Sequence, residues 1–237
     1  MAALTPMMAQ YMEVKNQYKD CILFYRLGDF YEMFFDDALT ASRELEITLT
    51  GRDCGQEERA PMCGVPYHAC DIYLNKLIEK GYKVAICEQM EDPKLAKGIV
   101  KREVIRIVTP GTNMSQAILD ETRNNYLMCI FGCNDEYGVA VCDITTGEFR
   151  SCHISSTSKL YDEINKYSPT EIIGNGTFLS CDLNFDYMKE KMKITISEAP
   201  SHYFNDDTCE DFIKRQFKVG SIDGLGIDEQ EDMLLSA

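Results

Sequence analysis

The sequence predicts an α/β protein of the α+β type, with a mixed-sheet domain over residues 1–113 and a ribonuclease-H-like α/β domain over residues 114–237. Three observations support this prediction. Helical and strand patterns in the first half do not alternate strictly, which favours a mixed sheet with helices packed on it. A polar, turn-rich stretch at 112–125 is typical of a domain junction. Beyond it, three strand patterns joined by short turns precede helices and strands that alternate.

The first domain begins with a Thr-Pro pair at residues 5–6, which suits the N-cap and first turn of a helix. A Gly-Asp pair at 28–29 joins two apolar strand patterns and predicts a β-hairpin. Residues 51–60 predict an exposed loop, and residues 61–68 predict a stiff, irregular segment. The predicted helices are 6–19, 36–45 and 67–80, and the predicted strands are 21–27, 30–35, 47–50, 82–90 and 99–109.

The second domain predicts a three-strand meander followed by alternating helices and strands, which is why we expect a ribonuclease-H-like layout. Its last stretch, 219–237, is acidic with a short helical end. The predicted strands are 126–133, 137–144, 148–154, 171–173 and 193–197, and the predicted helices are 157–167, 182–191 and 206–218.

Composition indicates a globular protein, since 45% of the residues are hydrophobic and 27% are charged. No apolar run approaches the ~20 residues that a membrane span needs, and no signal pattern opens the chain. We therefore expect a cytoplasmic protein without a membrane partner. The net charge of −15 is uneven: residues 1–110 carry 14 basic and 17 acidic residues (−3), and residues 111–237 carry 10 and 22 (−12). The second half is thus a poor candidate for binding nucleic-acid phosphates.

The eleven cysteines contain no C-x-x-C pair, which favours reduced and mostly buried thiols. A zinc site from Cys54, Cys63, His68 and Cys70 is conceivable, but this spacing matches no metal-ligand pattern. We expect neither a metal site nor a cofactor in this chain. It contains no G-x-x-x-x-G-K-[ST] phosphate loop and no G-x-G-x-x-G motif.

Residues 27–35 form a Gly-Asp turn followed by an aromatic strand pattern with one carboxylate. Side chains alternate across a strand, so Phe30, Glu32 and Phe34 share one face. Two interpretations stay open. The stretch is either a half-buried core strand, or an apolar wedge and a hydrogen-bond acceptor that point the same way.

Two further groups of charged residues are ambiguous. Asp143, with Glu148, Asp162 or Glu163, could form the carboxylate cluster of a metal-dependent nuclease, although acidic residues abound here and an aspartate before a turn is ordinary. Arg52 in the loop, and Lys101 and Arg102 at the start of a strand, are either solvated charges or DNA contacts.

Five blocks, in order and spacing, resemble the N-terminal region of the MutS family of DNA mismatch repair proteins. They lie at residues 5–8 (TPMM), 24–34 (FYRLGDFYEMF), 61–69 (PMCGVPYHA), 84–89 (VAICEQ) and 106–112 (RIVTPGT). Residues 113–237 resemble the connector domain of that family more loosely, chiefly through residues 138–149 (GVAVCDITTGEF). The resemblance implies an N-terminal fragment whose connector domain is cut short at its end.

In that family the Phe-x-Glu motif reads the mismatch. The resemblance implies that Phe30 enters the minor groove at a mispaired or unpaired base, that Glu32 hydrogen-bonds the displaced base, and that the duplex kinks. It also implies DNA contacts for Arg52 and Arg102. Lys101 is added because it neighbours Arg102, and Met62 because of its position in the loop.

The resemblance also implies partners and limits. We expect mismatched double-stranded DNA as the ligand, a MutL-like protein docking on the connector domain, and a homodimer of the full-length protein. ATP and Mg²⁺ are implied only for an ATPase part that this chain does not contain, so we expect no enzymatic activity from it. The alternative is the nuclease on the second domain.

Overall fold

The computed structural model describes residues 4–92, 98–114, 124–225 and 231–237. The chain forms two compact units, which are described one at a time: the first unit, Met1–Ile118, and the second unit, Leu119–Ala237. The division falls among residues 115–123, which lie outside the described residues. No helix of the described part of the chain is long and apolar enough to cross a membrane.

The first unit is built on a six-stranded sheet in the order β3-β4-β2-β1-β5-β6. β1 and β5 are parallel and the other neighbours are antiparallel, so the predicted mixed sheet is confirmed. The strands are β1 Cys21–Leu27, β2 Phe30–Phe34, β3 Thr50–Arg52, β4 Ala60–Pro66, β5 Lys83–Gln89 and β6 Arg102–Val108. The helices are α1 Pro6–Gln17, α2 Phe35–Leu45 and α3 Cys70–Glu79.

Both faces of this sheet carry helices, as the apolar run over β1 requires. One face packs Tyr25 and Phe34 against Met8 and Tyr11 of α1. The opposite face packs its apolar side chains against α2 and α3 in a second cluster. Burial of large side chains on both faces is the main stabilising contribution to this unit, at roughly 1.5–3 kcal/mol for each fully buried one.

The segment between α2 and α3 differs from the prediction. The sequence predicts a strand at 47–50, an exposed loop over 51–60 and an irregular segment over 61–68. The structure instead has an antiparallel hairpin of β3 and β4, and residues 62–66 of β4 pair with the whole of β2. Pro61 and Pro66 lie near the two ends of β4, where a missing N–H is tolerated. Between them, Cys63 and Val65 alternate into the core with period two.

The second unit contains a five-stranded sheet in the order β11-β10-β7-β8-β9. The antiparallel meander β7-β8-β9 is extended by β10 and β11, which run parallel to β7, so the predicted meander followed by α/β elements is confirmed. The strands are β7 Tyr126–Cys133, β8 Glu136–Asp143, β9 Glu148–Ile154, β10 Glu171–Gly174 and β11 Thr195–Glu198. The helices are α4 Thr157–Tyr167, α5 Gly176–Leu179, α6 Phe185–Glu190, α7 Asp206–Phe217 and α8 Glu231–Ser236, of which α5 was not predicted.

Candidate functional site

The tip of the β1–β2 hairpin is a two-residue turn. Leu27 pairs with Phe30, so Gly28 and Asp29 are its central residues. Gly28 has φ +59°, the left-handed region that the first central position of a type II′ turn requires. Because such turns match the twist of the flanking strands, the turn fixes the direction in which β2 starts. That direction sets the position of Phe30.

The side chains of β2 become less exposed along one face. Phe30 at the tip is 46% exposed, and Phe34 at the other end is 1% exposed, with its ring centroid 4.9 Å from that of Tyr11. Glu32 lies between them and is half-buried. The predicted common face is confirmed. α1 covers the Phe34 end of it and leaves a large aromatic side chain exposed at the hairpin tip.

Gly64 adds no side chain to the surface beside Glu32 and Phe30. Gly64 of β4 lies directly opposite Glu32 and Pro66 lies opposite Phe30. A Cβ on Gly64 would lie 3.4 Å from Cγ of Glu32 and 3.8 Å from Cδ1 of Phe30. The stem of Glu32 and the ring of Phe30 therefore border on backbone, and no side chain of Gly64 stands between them and solvent.

Glu32 is paired with Arg52. Arg52 lies at the end of β3, not in a loop, and its Nη1 donates to Oε2 of Glu32 across β4. The side chain of Glu32 is 16% exposed and that of Arg52 is 37% exposed. The guanidinium carbon lies 5.9 Å from the ring centroid of Phe34. The structure thus joins two of the predicted residues, and the carboxylate of Glu32 is not a bare charge.

Arg102 is buried, although the resemblance implies a DNA contact for it. Its Nε donates to the carbonyl of Arg26 at 2.8 Å, and its Nη1 donates to Gln10 at 2.9 Å and to the carbonyl of Val100 at 3.0 Å. The guanidinium carbon also lies 5.0 Å from the ring centroid of Tyr25. These contacts tie α1 to the sheet. They give Arg102 a structural role in the first unit, and its DNA contact stays a prediction.

Lys101 and Met62 lie in different surroundings. Lys101 is exposed and its Nζ is 2.6 Å from Glu103, at the β6 edge of the sheet. Met62 is half-buried opposite Phe34 in β4, and its sulfur is 3.6 Å from the hydroxyl of Thr50. Met62 thus shares the face of Phe30 and Glu32, whereas Lys101 is separated from β2 by β1 and β5.

A cluster on the other face of the hairpin tip was not predicted. The guanidinium carbon of Arg26 lies 3.7 Å from the ring centroid of Tyr67, and its Nε donates to the carbonyl of Gly28 at 2.6 Å. Arg26 also pairs with Glu88 at 3.3 Å, and Tyr31 donates its hydroxyl to the same carboxylate. These contacts brace the turn from the sheet face opposite to Phe30 and Glu32. The available signal was a charged residue, Glu88, directly after the apolar run Val84–Cys87 of the predicted strand.

The carboxylates of the second unit do not form the predicted cluster. Asp143 is buried and accepts hydrogen bonds from N–H and hydroxyl of Thr145, at 2.8 and 2.6 Å, and from N–H of Asn125 at 3.3 Å. Burial raises the pKa of Asp143, but these bonds outweigh it and hold the pKa below its ordinary value of 3.8. Glu148 pairs with Arg150, and Glu163 with Lys166. A nuclease site is not supported.

None of the eleven cysteines, all of which are among the described residues, forms a disulfide, and several are deep in the first unit. Burial raises the pKa of Cys21, Cys63 and Cys87 to about 12, so these thiols are protonated at neutral pH. Across residues 4–92, 98–114, 124–225 and 231–237, no group of three or more His, Cys, Asp or Glu side chains is placed to hold a metal ion. The zinc set considered from the sequence is not assembled.

Comparison with known proteins adds evidence along the whole chain. The family model described as MutS domain I matches residues 5–117, and the model described as MutS domain II matches residues 125–237. A protein of Lachnoclostridium phytofermentans named DNA mismatch repair protein MutS is 61% identical over 227 residues, which cover 96% of this chain and 24% of the relative. Its namesake from Acetivibrio thermocellus is 59% identical over 221 residues, covering 92% and 25%. The chain therefore spans about a quarter of the length of these curated relatives.

Proposed function

Because the chain belongs to the MutS family, we propose that its first unit recognises mismatched double-stranded DNA. The observation that carries this proposal is the exposed ring of Phe30 at a braced hairpin tip, with Glu32 beside it on the same face. With 46% of the residue exposed, part of the apolar ring is left in water and is not buried by packing within the unit. A ring held there is well placed to stack on a base.

The proposed reading step is a wedge. Phe30 enters from the minor groove and stacks on a mispaired or unpaired base while the duplex kinks. Unstacking a base step costs about a few kcal/mol, and least where the base is already badly paired. Stacking of a base on an aromatic ring returns about 1–3 kcal/mol. Selectivity therefore comes from the deformability of the duplex, which lets one site accept many different mismatches.

Glu32 has the second role in this step. We assign its carboxylate to a hydrogen bond with a donor on the displaced base, which a matched duplex does not offer. Met62 borders the same face, and Arg52 is assigned to the DNA interface through its contact with Glu32. Lys101 stays in the proposal only as a contact to DNA backbone at the β6 edge.

The remaining assignments concern the longer protein that the relatives represent. We propose that the second unit relays the mismatch signal to an ATPase part and docks a MutL-like protein, that the full-length protein is a homodimer, and that it works in the cytoplasm. We propose no catalytic activity for this chain. Its sequence contains no phosphate loop, so ATP and Mg²⁺ have no role in the steps above.

Replacing Phe30 tests the proposal. We predict that Phe30→Ala weakens binding to a mismatched duplex by about 5–150-fold, the equivalent of the lost stacking, and changes binding to the matched duplex less than twofold. Affinity is measured at one stated salt concentration. Two proteins are used: the 237-residue chain, and the same chain placed in the Lachnoclostridium phytofermentans relative in place of its matching residues.

The control is Leu39→Ala, since Leu39 on α2 is equally exposed, at 46%, and lies away from the hairpin tip. It should leave both affinities unchanged. Equal losses on matched and mismatched duplexes for Phe30→Ala would show that the ring contributes general contact and not recognition.

A further inference from the structure

We propose that Arg52 sets the selectivity of the site by exchanging partners. In the free protein and on matched DNA it stays paired with Glu32. On a mismatch, the displaced base takes the carboxylate and the guanidinium of Arg52 transfers to a backbone phosphate. This inference rests on the proposed function, and it assigns Arg52 a positioning role that acts through Glu32 in place of a simple phosphate contact.

The geometry gives Arg52 one acidic partner, Glu32, and leaves part of its side chain exposed to solvent. Arg52 is in the edge strand β3, and its side chain crosses β4 to reach Glu32 in β2, past the ring of Phe34. At 37% exposure the arginine side chain is open to solvent, while Glu32 at 16% is more enclosed. A guanidinium carries five N–H donors, and one of its nitrogens is engaged by Glu32. The arginine is thus the more exposed partner of the pair.

The charges of the two partners explain why the exchange depends on the duplex. The closed pair carries no net charge, so a matched duplex meets a neutral surface. Opening the pair on a matched duplex would leave the half-buried carboxylate without a partner next to phosphates, which is unfavourable. A displaced base supplies an N–H donor to that carboxylate and removes the penalty. Only then is Arg52 free to bind a phosphate in the bidentate manner that suits a guanidinium.

Salt dependence of binding measures the exchange. Each phosphate contact made by a lysine or arginine steepens the plot of log affinity against log salt by about 0.9. We predict a slope steeper by about that amount on the mismatched duplex than on the matched one, beyond contacts shared by both. The titrations use the 237-residue chain, alone and within the Lachnoclostridium phytofermentans relative.

Two substitutions should remove the difference between the two salt slopes, one by lowering the mismatch slope and the other by raising the matched slope. Arg52→Ala should lower the mismatch slope to that of the matched duplex. Glu32→Gln should release Arg52 on both duplexes, raise the matched slope to that of the mismatch, and strengthen matched binding several-fold. Arg59→Ala is the control for charge. Arg59 is exposed, and among the described residues it makes no ion pair or hydrogen bond with Glu32. It should change both slopes equally or not at all.

Any other outcome counts against either the partner exchange of Arg52 or the proposed function. Equal flattening of both slopes by Arg52→Ala makes Arg52 an ordinary phosphate contact and overturns the exchange. Unchanged slopes make the ion pair structural and overturn it as well. If the wild-type protein fails to prefer mismatched DNA in either context, or if Phe30→Ala leaves the preference intact, it is the proposed function that fails.

Discussion

At the scale of single residues, exposure of Phe30 and pairing of Glu32 have one cause. α1 covers the shared face of β2 only as far as Phe34, so side chains nearer the hairpin tip remain open. Period-two alternation is enough to predict that Phe30, Glu32 and Phe34 share a face. It does not predict which of them is buried, because their burial depends on how far α1 extends over this face of the sheet. The partner of Glu32 could not be predicted either, since β3 and β4 were expected as loop and irregular chain.

Asp143 provides a prediction that tests its structural role. Its folded-state pKa is lowered, so its contribution is fully present above its ordinary pKa of 3.8 and is lost as pH falls through the lower folded value. We predict that Asp143→Asn destabilises the protein at pH 7 by about 1.5–3 kcal/mol, the range for hydrogen bonds to a charged group. An amide places N–H donors where Thr145 and Asn125 already donate.

The difference between wild type and Asp143→Asn should shrink as the pH is lowered below 3.8, because the wild-type carboxyl then protonates. Urea unfolding at both pH values measures it. Asp162→Asn, at an exposed position on α4, is the matched control and should change stability by less than about 0.5 kcal/mol. A difference that stays constant with pH would show that the hydrogen bonds do not depend on the charge.

At the scale of elements, the β1–β2 hairpin is the part of the fold that positions the site. Its turn could be predicted from Gly28 and Asp29, and its strands from their apolar patterns. The brace behind it could not, because the stacking of Arg26 on Tyr67 joins residues 41 positions apart through tertiary contacts. β4 was missed for a different reason: Pro61 and Pro66 argue against a strand locally, although both lie near its ends.

Gly28→Ala tests the turn. A Cβ at this position meets no atom within 4 Å, so the cost comes from the backbone alone, at φ +59°. We predict a loss of about 1–2 kcal/mol in the free energy of unfolding, the ordinary cost of the left-handed region for a residue with a Cβ. Gly28→Asn should lose less, because asparagine tolerates that region better. Thermal and urea unfolding report both.

Gly220→Ala is the matched control for the turn. It also adds a methyl group into open space, but its φ lies outside the left-handed region, so its stability should change by less than about 0.5 kcal/mol. If Gly28→Ala is as harmless as this control, the turn does not depend on the glycine and does not fix the position of Phe30.

At the scale of the whole molecule, charge constrains how DNA is bound. The chain has a net charge of −15, of which residues 111–237 contribute −12. Such a charge repels a duplex at long range. Our account therefore confines recognition to a local surface of the first unit, where Phe30 is exposed and Glu32 is neutralised by Arg52. For the second unit, which carries most of that charge, the proposed roles are relay and partner binding.

We propose that Phe30 stacks on a base only where the duplex is mismatched. Fluorine NMR tests it directly, with para-fluorophenylalanine incorporated at position 30 alone and the chain carried by the Lachnoclostridium phytofermentans relative. We predict an upfield shift of the fluorine resonance on saturation with a mismatched duplex, caused by the ring current of the stacked base, and no such shift with the matched duplex. A saturated mismatched complex without the shift, or the same shift on both duplexes, would contradict the account.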